Sequence, residues 1–308
     1  MGDDRMTSND AHRIGRIDGT GDPVDAIATG IAGPINDAAA LPRRACVLLF
    51  AGADPSGGAG ICADLQAIAA AGAHALPVVT VLTVQDNNRV HAIHPVPVEQ
   101  VRAQAEALIA AIPIAAVKIG IVGSRANALC IAALLTQLRT MQPDLPVVLD
   151  PVLASGHGDA LTREDALSVI APLLAHATLI TPNLPEAAAL CPDAAGPEAQ
   201  AAALIARGAT HVLIKGGHGE AQMIVNQWFG ADGATRTWQS ARLPGQFHGS
   251  GCTLASAIAG RLAIGDTMHA AIDAGLAFCD AALAQAFAIA PGQAIPARSA
   301  EFFKGSTR

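Results

Sequence analysis

The chain has 308 residues, 51% hydrophobic and 15% charged, with a formal net charge of −7 at pH 7. That is enough apolar sequence for a large core, and the acidic balance offers no general attraction to nucleic acid or anionic lipid, so phosphate chemistry here needs a local, preorganised site for a small molecule. Six singly placed cysteines without a C-x-x-C pair argue against zinc and for a reducing compartment, and the absence of a signal-like leader or of 18 consecutive apolar residues sets the expectation of a cytoplasmic protein with no membrane partner.

Residues 1 to about 43 mix Gly, Asp, Pro, Asn and Thr with little periodicity and are expected to form a disordered N-terminal extension, leaving 44–308 as a single domain. Cys46–Ala51 is a short continuous apolar run, the pattern of a strand covered on both faces. A glycine-rich loop from Gly52 to Gly60 follows, then a helix from Ile61 that closes near Gly72. The glycine spacing fits neither G-x-G-x-x-G nor the G-x-x-x-x-G-K-[ST] phosphate loop, which disfavours a dinucleotide fold. Asp64 sits in the first turns of that helix, where compensation of the macrodipole would by itself explain a carboxylate. A second strand, Pro77–Val84, ends in Gln85-Asp86-Asn87-Asn88, at the kind of strand end where open α/β sheets keep ligands. His91 and His94 lie in a proline-bearing segment with no partner at ligand spacing and are expected on the surface.

Helices over about 98–111 and 125–141 alternate with a strand at Ala116–Val122 and with the run Pro146–Leu153, in which Asp150 terminates an apolar strand. The strand Ala177–Ile180 runs into Thr181-Pro182-Asn183-Leu184-Pro185-Glu186, where Asn183 and Glu186 have the spacing of a capping box. A helix over about 197–207 feeds His211–Ile214, closed by Lys215 and two glycines, so that the lysine can reach a phosphate across bare main chain. Between Met223 and Phe247, short polar segments with Trp228, Phe229 and Trp238 suggest an edge hairpin serving as a connector. His248-Gly249-Ser250-Gly251-Cys252-Thr253 then enters an apolar helix. Its glycines let N–H groups turn inward and the helix start adds a positive end, which makes an anion site with Cys252 beside it. The helix start, the loop N–H groups and Lys215 favour a Cys252 thiolate, whereas the charge of a bound nucleotide opposes it. A last helix over about 268–289 carries Cys279 in its core.

Gln85, Asp150, Asn183, Glu186 and Lys215 thus follow separate strands and converge on one sheet edge with Ser250, Gly251 and Cys252. Two carboxylates can organise Mg²⁺ through water, a lysine and an amide nest can hold phosphates, and Cys252 can act on an attacking hydroxyl. These are the parts of an ATP-dependent small-molecule kinase without a P-loop. A thiol hydrolase using Cys252 with His248 is disfavoured, because a base four residues before its nucleophile on a glycine turn has poor geometry.

From about Cys46 to Pro296 the chain resembles the hydroxymethylpyrimidine and phosphomethylpyrimidine kinases of thiamine biosynthesis, within the ribokinase-like superfamily. The resemblance rests on Ala51 to Gly60 with Ala63-Asp64-Leu65, Val84-Gln85, Lys118-Ile119-Gly120, Leu149-Asp150-Pro151-Val152, Thr181 to Ala187, Lys215-Gly216-Gly217-His218 and His248 to Thr253. It implies an α/β fold, a ribokinase-like three-layer α/β/α sandwich with a mostly parallel central sheet. It also implies transfer of the γ-phosphoryl group of ATP to 4-amino-5-hydroxymethyl-2-methylpyrimidine and then to its monophosphate. By position, the resemblance makes Asp64 and Gln85 the pyrimidine-recognition residues, with Gly52, Ile121 and Val152 lining their pocket. Cys252 takes the catalytic position, Gly249, Ser250 and Gly251 the anion hole, Lys215 the phosphate, Asn183 the nucleotide side, and Asp150 and Glu186 the neighbourhood of Mg²⁺. Ile121 stands where many relatives carry methionine, and Asp86-Asn87-Asn88 replaces their usual continuation, so a pyridoxal or pyridoxine kinase is the alternative. Expected partners are the pyrimidine and ATP, with no nucleic acid and no membrane; a homodimer is one assembly the sequence allows.

Overall fold

In a computed structural model of the chain, residues 41–217 and 222–299 are described. The extension up to residue 40, and His218 of the Lys215 block, lie outside them. The first elements are β1 (Cys46–Ala53), α1 (Gly60–Ala70), β2 (His74–Gln85), β3 (Val90–Pro95), α2 (Val98–Ala111), β4 (Ala116–Ile119), α3 (Arg125–Met141), β5 (Val147–Leu149) and α4 (Ala166–Leu174). They are followed by β6 (Leu179–Ile180), α5 (Leu184–Leu190), α6 (Gly196–Ala206), β7 (His211–Ile214), β8 (Met223–Gly230), β9 (Thr235–Ala241), α7 (Ser250–Ala263) and α8 (Met268–Ala284).

The nine strands form one sheet in the order β3-β2-β1-β4-β5-β6-β7-β8-β9. From β2 to β7 every pairing is parallel, while β3, β8 and β9 add antiparallel edges. The period of two along β1 explains the layers. Leu48 and Phe50 join a core with α2 to α6, whereas Val47, Leu49 and Ala51 join a second core with α1, α7 and α8. Burial on both faces is why these strands read as unbroken apolar runs. The expected three-layer, mostly parallel sandwich is what forms. After β1 the chain builds outward through β2 and β3, then returns to β4 on the other side of β1. The order reverses between β1 and β4, and such a switch opens a crevice at the carboxyl ends of the strands.

Several elements differ from their sequence reading. β3 is an added edge strand, and its exposed His91 and His94 fit the surface expectation. The segment after Met223 is more than a connector, because β8 pairs along β7 and buries Trp228 and Phe229. α8 stops at Ala284, where the sequence pattern suggested about 289. Phe287 and Ile295 bond each other's backbones, so the chain turns back through Pro291-Gly292 instead of continuing the helix. Asn87 and Asn88 hold that return: both donate to the Pro291 carbonyl, and Asn88 accepts from Gln293 N–H. All six cysteines are free thiols. Among the described residues no helix is long and apolar enough to cross a membrane.

Candidate active site

A cavity of about 500 Å³ opens at the carboxyl edge of the sheet, across the switch between β1 and β4. Gly52, Gln85, Ile121, Asp150, Val152, Asn183, Glu186, Lys215 and the run Gly249 to Cys252 all line it. Parallel strands explain the convergence, because Gln85 ends β2 and Asp150 and Lys215 directly follow β5 and β7.

Lys215 Nζ donates to Asp150 Oδ1 at 2.8 Å, and Thr181 Oγ1 donates to the same oxygen at 3.2 Å. Burial resists ionisation of Asp150, but Lys215 and Lys118 outweigh it and hold the carboxyl below its usual range. Lys215 is likewise kept charged against burial by Asp150 and Glu186. The main chain of Gly251 packs against this pair: a Cβ there would lie 3.2 Å from Lys215 Nζ. Beside them, with Asn183 bridged to Lys215 along the backbone, Asn183 and Glu186 close the capping box of α5, each backbone N–H donating to the other's side chain at 2.8 Å. Burial pushes the Glu186 carboxyl up to about 7; Lys215 opposes this and Asp150 adds to it.

α7 begins at Ser250 behind Gly249, whose φ of 77° favours glycine. Thr253 N–H is the first to reach back, to Gly249 O at 2.9 Å. The N–H groups of Ser250, Gly251 and Cys252 therefore have no helical acceptor, which is what an anion site requires. Burial pushes the Cys252 thiol up to about 11, against Lys118 and a hydrogen bond from the Gly60 backbone. The sequence features favouring a thiolate are outweighed by desolvation, and at neutral pH Cys252 is a thiol.

Asp54, which also lines the cavity, organises the loop after β1. Its Oδ1 accepts from Ser56 N–H and its Oδ2 from Ala59 N–H, both at 2.8 Å, while His248 Nε2 lies 2.7 Å from Oδ2. Burial resists ionisation of Asp54, and the bonds from His248 and Ser56 overcome it. His248 Nε2 is also 3.1 Å from Gln85 Nε2. Gln85 thus meets His248 and faces the cavity at once. Asp54 and His248 had no assigned role in the sequence reading. The signal available was Asp54-Pro55-Ser56-Gly57, an Asx-turn pattern.

Asp64 departs from its expected place. It does not reach the cavity: it is fully buried, with both carboxylate oxygens 3.0 Å from Lys118 Nζ and Oδ1 accepting from Ser256 Oγ at 2.6 Å. Its carboxylate is spent on β4 and α7, so the pyrimidine contact expected of it is not available here.

Residues 54–296 match the family described as phosphomethylpyrimidine kinase. The hydroxymethylpyrimidine/phosphomethylpyrimidine kinase of Rhizobium meliloti is 40% identical over 255 residues, which is 81% of this chain and 94% of that protein. Among solved structures, the phosphomethylpyrimidine kinase of Clostridium difficile 630 aligns with a TM-score of 0.63 and 31% identity over 75% of this chain and 95% of that one. An ADP complex of Bacillus subtilis pyridoxal kinase aligns with a TM-score of 0.73 and 27% identity over 84% and 99%.

Proposed function

The chain belongs to the phosphomethylpyrimidine kinase family, and from that premise we propose how its residues divide the work of the reaction. The enzyme is a hydroxymethylpyrimidine/phosphomethylpyrimidine kinase of thiamine biosynthesis. It uses ATP to phosphorylate 4-amino-5-hydroxymethyl-2-methylpyrimidine and then its monophosphate. The observation that carries the division of roles is one cavity lined by the Lys215–Asp150 pair, by the glycine loop and by Gln85 with His248.

Phosphoryl transfer is mostly positioning and charge neutralisation. Lys215, kept charged by Asp150, contacts the phosphates, and the free N–H groups of Ser250, Gly251 and Cys252 receive the oxygens of the transferred group. Asn183 lies on the nucleotide side. Gln85 reads the pyrimidine, while Gly52, Ile121 and Val152 shape its pocket. Cys252, as a thiol, orients the substrate hydroxyl; in a loose transition state that proton leaves late, so a strong base is not required.

Mg²⁺ fits the donor set. Magnesium keeps several waters and takes one or two carboxylates plus phosphate, and Asp150 and Glu186 are two carboxylates lining one cavity. These two residues would hold it, and the ion would neutralise charge on the phosphates. Glu186 must first give up its proton. The working state is a cytoplasmic enzyme acting on small molecules. A coupled ADP-release assay with hydroxymethylpyrimidine, its monophosphate and pyridoxal tests the reading; turnover confined to pyridoxal would replace it with the pyridoxal kinase alternative.

A further inference from the structure

Arg298 lies two residues past the segment that matches the family and outside every strand and helix. It is nevertheless only 4% exposed. Nε donates to Thr253 Oγ1 at 2.6 Å, and Nη2 donates to Gly58 O at 2.6 Å, with the carbonyls of His248 and Gly249 at 3.3 and 3.5 Å. Thr253 Oγ1 in turn donates to Gly249 O at 2.8 Å. One guanidinium therefore gathers three carbonyls from two loops, the loop after β1 and the loop before α7. Those loops touch where side chains are missing. A Cβ on Gly249 would sit 2.1 Å from Gly58 O, and one on Gly58 would sit 2.2 Å from His248 Cδ2.

In a planar trans peptide the carbonyl of one residue and the N–H of the next point in opposite directions. Holding the carbonyls of His248 and Gly249 toward Arg298 thus fixes the N–H groups of Gly249 and Ser250 the other way. The arrangement is costly to keep. A buried guanidinium is expensive to desolvate, and Nη1 has no hydrogen-bond partner among the described residues. An apolar side chain would fill the same space at lower cost but would release the carbonyls of Gly58 and His248 and leave Gly249 O to Thr253 alone.

We propose that Arg298 is a positioning residue for phosphoryl transfer: from behind the loop, it sets the direction of the Ser250 amide N–H, the first of those that receive the transferred phosphoryl group. This rests on the kinase reading above. A lysine cannot replace it, because a single ammonium lacks the planar fork that reaches Thr253 and Gly58 together. Small displacements made by residues remote from the chemistry cost up to about 100-fold in rate.

The test is steady-state kinetics, per mole of folded enzyme, for wild type, Arg298→Met, Arg298→Lys and Thr253→Val, with hydroxymethylpyrimidine and ATP varied separately. The expected result is an active wild type, kcat lowered about 100-fold in Arg298→Met and about 10-fold or more in Arg298→Lys and Thr253→Val, and both KM values within about threefold. Partial recovery of kcat in Arg298→Ala on adding guanidinium ion would support the role in a way that a simple packing residue could not. Wild-type kcat in Arg298→Met and Thr253→Val, or a loss confined to KM, overturns the proposal. If Arg298→Met does not fold, the near-isosteric Thr253→Val decides alone. A wild type inactive on both pyrimidines overturns the kinase reading and this proposal together, whereas active wild type with active variants overturns this proposal only.

Discussion

Glu186 keeps its proton up to about 7 because burial and the neighbouring Asp150 outweigh Lys215, whereas in the unfolded chain it titrates near 4.5. Between those values the folded protein binds a proton that the unfolded chain has released, so this residue's contribution to stability is fullest below about 4.5 and is lost as pH rises through about 7. The shift corresponds to about 3 kcal/mol. Glu186→Gln keeps the acceptor for Asn183 N–H and removes the titration. In magnesium-free buffer its melting temperature should therefore gain on wild type by several degrees between pH 5 and pH 8. A constant difference would show that Glu186 does not titrate between pH 5 and pH 8. Cys252 makes the complementary case. A thiol raised to about 11 acts by hydrogen bonding, so Cys252→Ser should keep kcat within about tenfold while Cys252→Ala loses about 100-fold, with substrate KM nearly unchanged. Serine as damaging as alanine would mean that a thiolate is needed after all.

The glycine loop before α7 and the loop after β1 form one element of function although about 190 residues separate them. Gly249 has φ 77° and no room for a Cβ against Gly58 O, so Gly249→Ala must force the loops apart. We expect a backbone strain of about 1–3 kcal/mol and a kcat fall of about 100-fold, read by melting and steady-state turnover; a fully active variant would show that the loop geometry is not needed. Strand ends were legible in the sequence because parallel strands buried on both faces read as apolar runs, and the polar residue that stops each run, at Gln85, Asp150 and Lys215, lands on the sheet edge. Asn183 and Glu186 were legible through capping-box spacing. Contacts between distant loops were not. Nothing local in Asp54, His248 or Arg298 announces their mutual bonds, and Arg298 lies 240 residues from Gly58. β3 escaped because His91, His94 and Pro95 mask a strand that is half exposed. Asp64 went astray because the sequence could not place Lys118 beneath it.

At the scale of the whole molecule, that buried pair ties the sheet to two helices of one layer. Lys118 sits on β4, Asp64 on α1 and Ser256 on α7, one turn below Cys252, and all three are fully buried. Burial acts against both charges. It leaves the Asp64 carboxyl above its usual range, whereas Asp64 and the other nearby acids hold Lys118 firmly in the ammonium form. A pair of this kind adds little against an apolar replacement, yet removing one member leaves the other charge buried and alone. Lys118→Met should therefore cost about 3–5 kcal/mol and lower the melting temperature by about 10 °C, while Lys118→Met with Asp64→Asn should recover most of that loss. The double variant keeps the Ser256 hydrogen bond to residue 64, so α7 stays docked on α1. What it lacks is the positive charge that opposes the rise in the Cys252 thiol. Calorimetry and turnover measured together separate the two roles, since restored melting with kcat still depressed assigns Lys118 to the electrostatics of the site. Restored melting with restored kcat would make the pair a structural tie alone, and an unchanged melting temperature in Lys118→Met would show that Asp64 is already neutral in the folded chain.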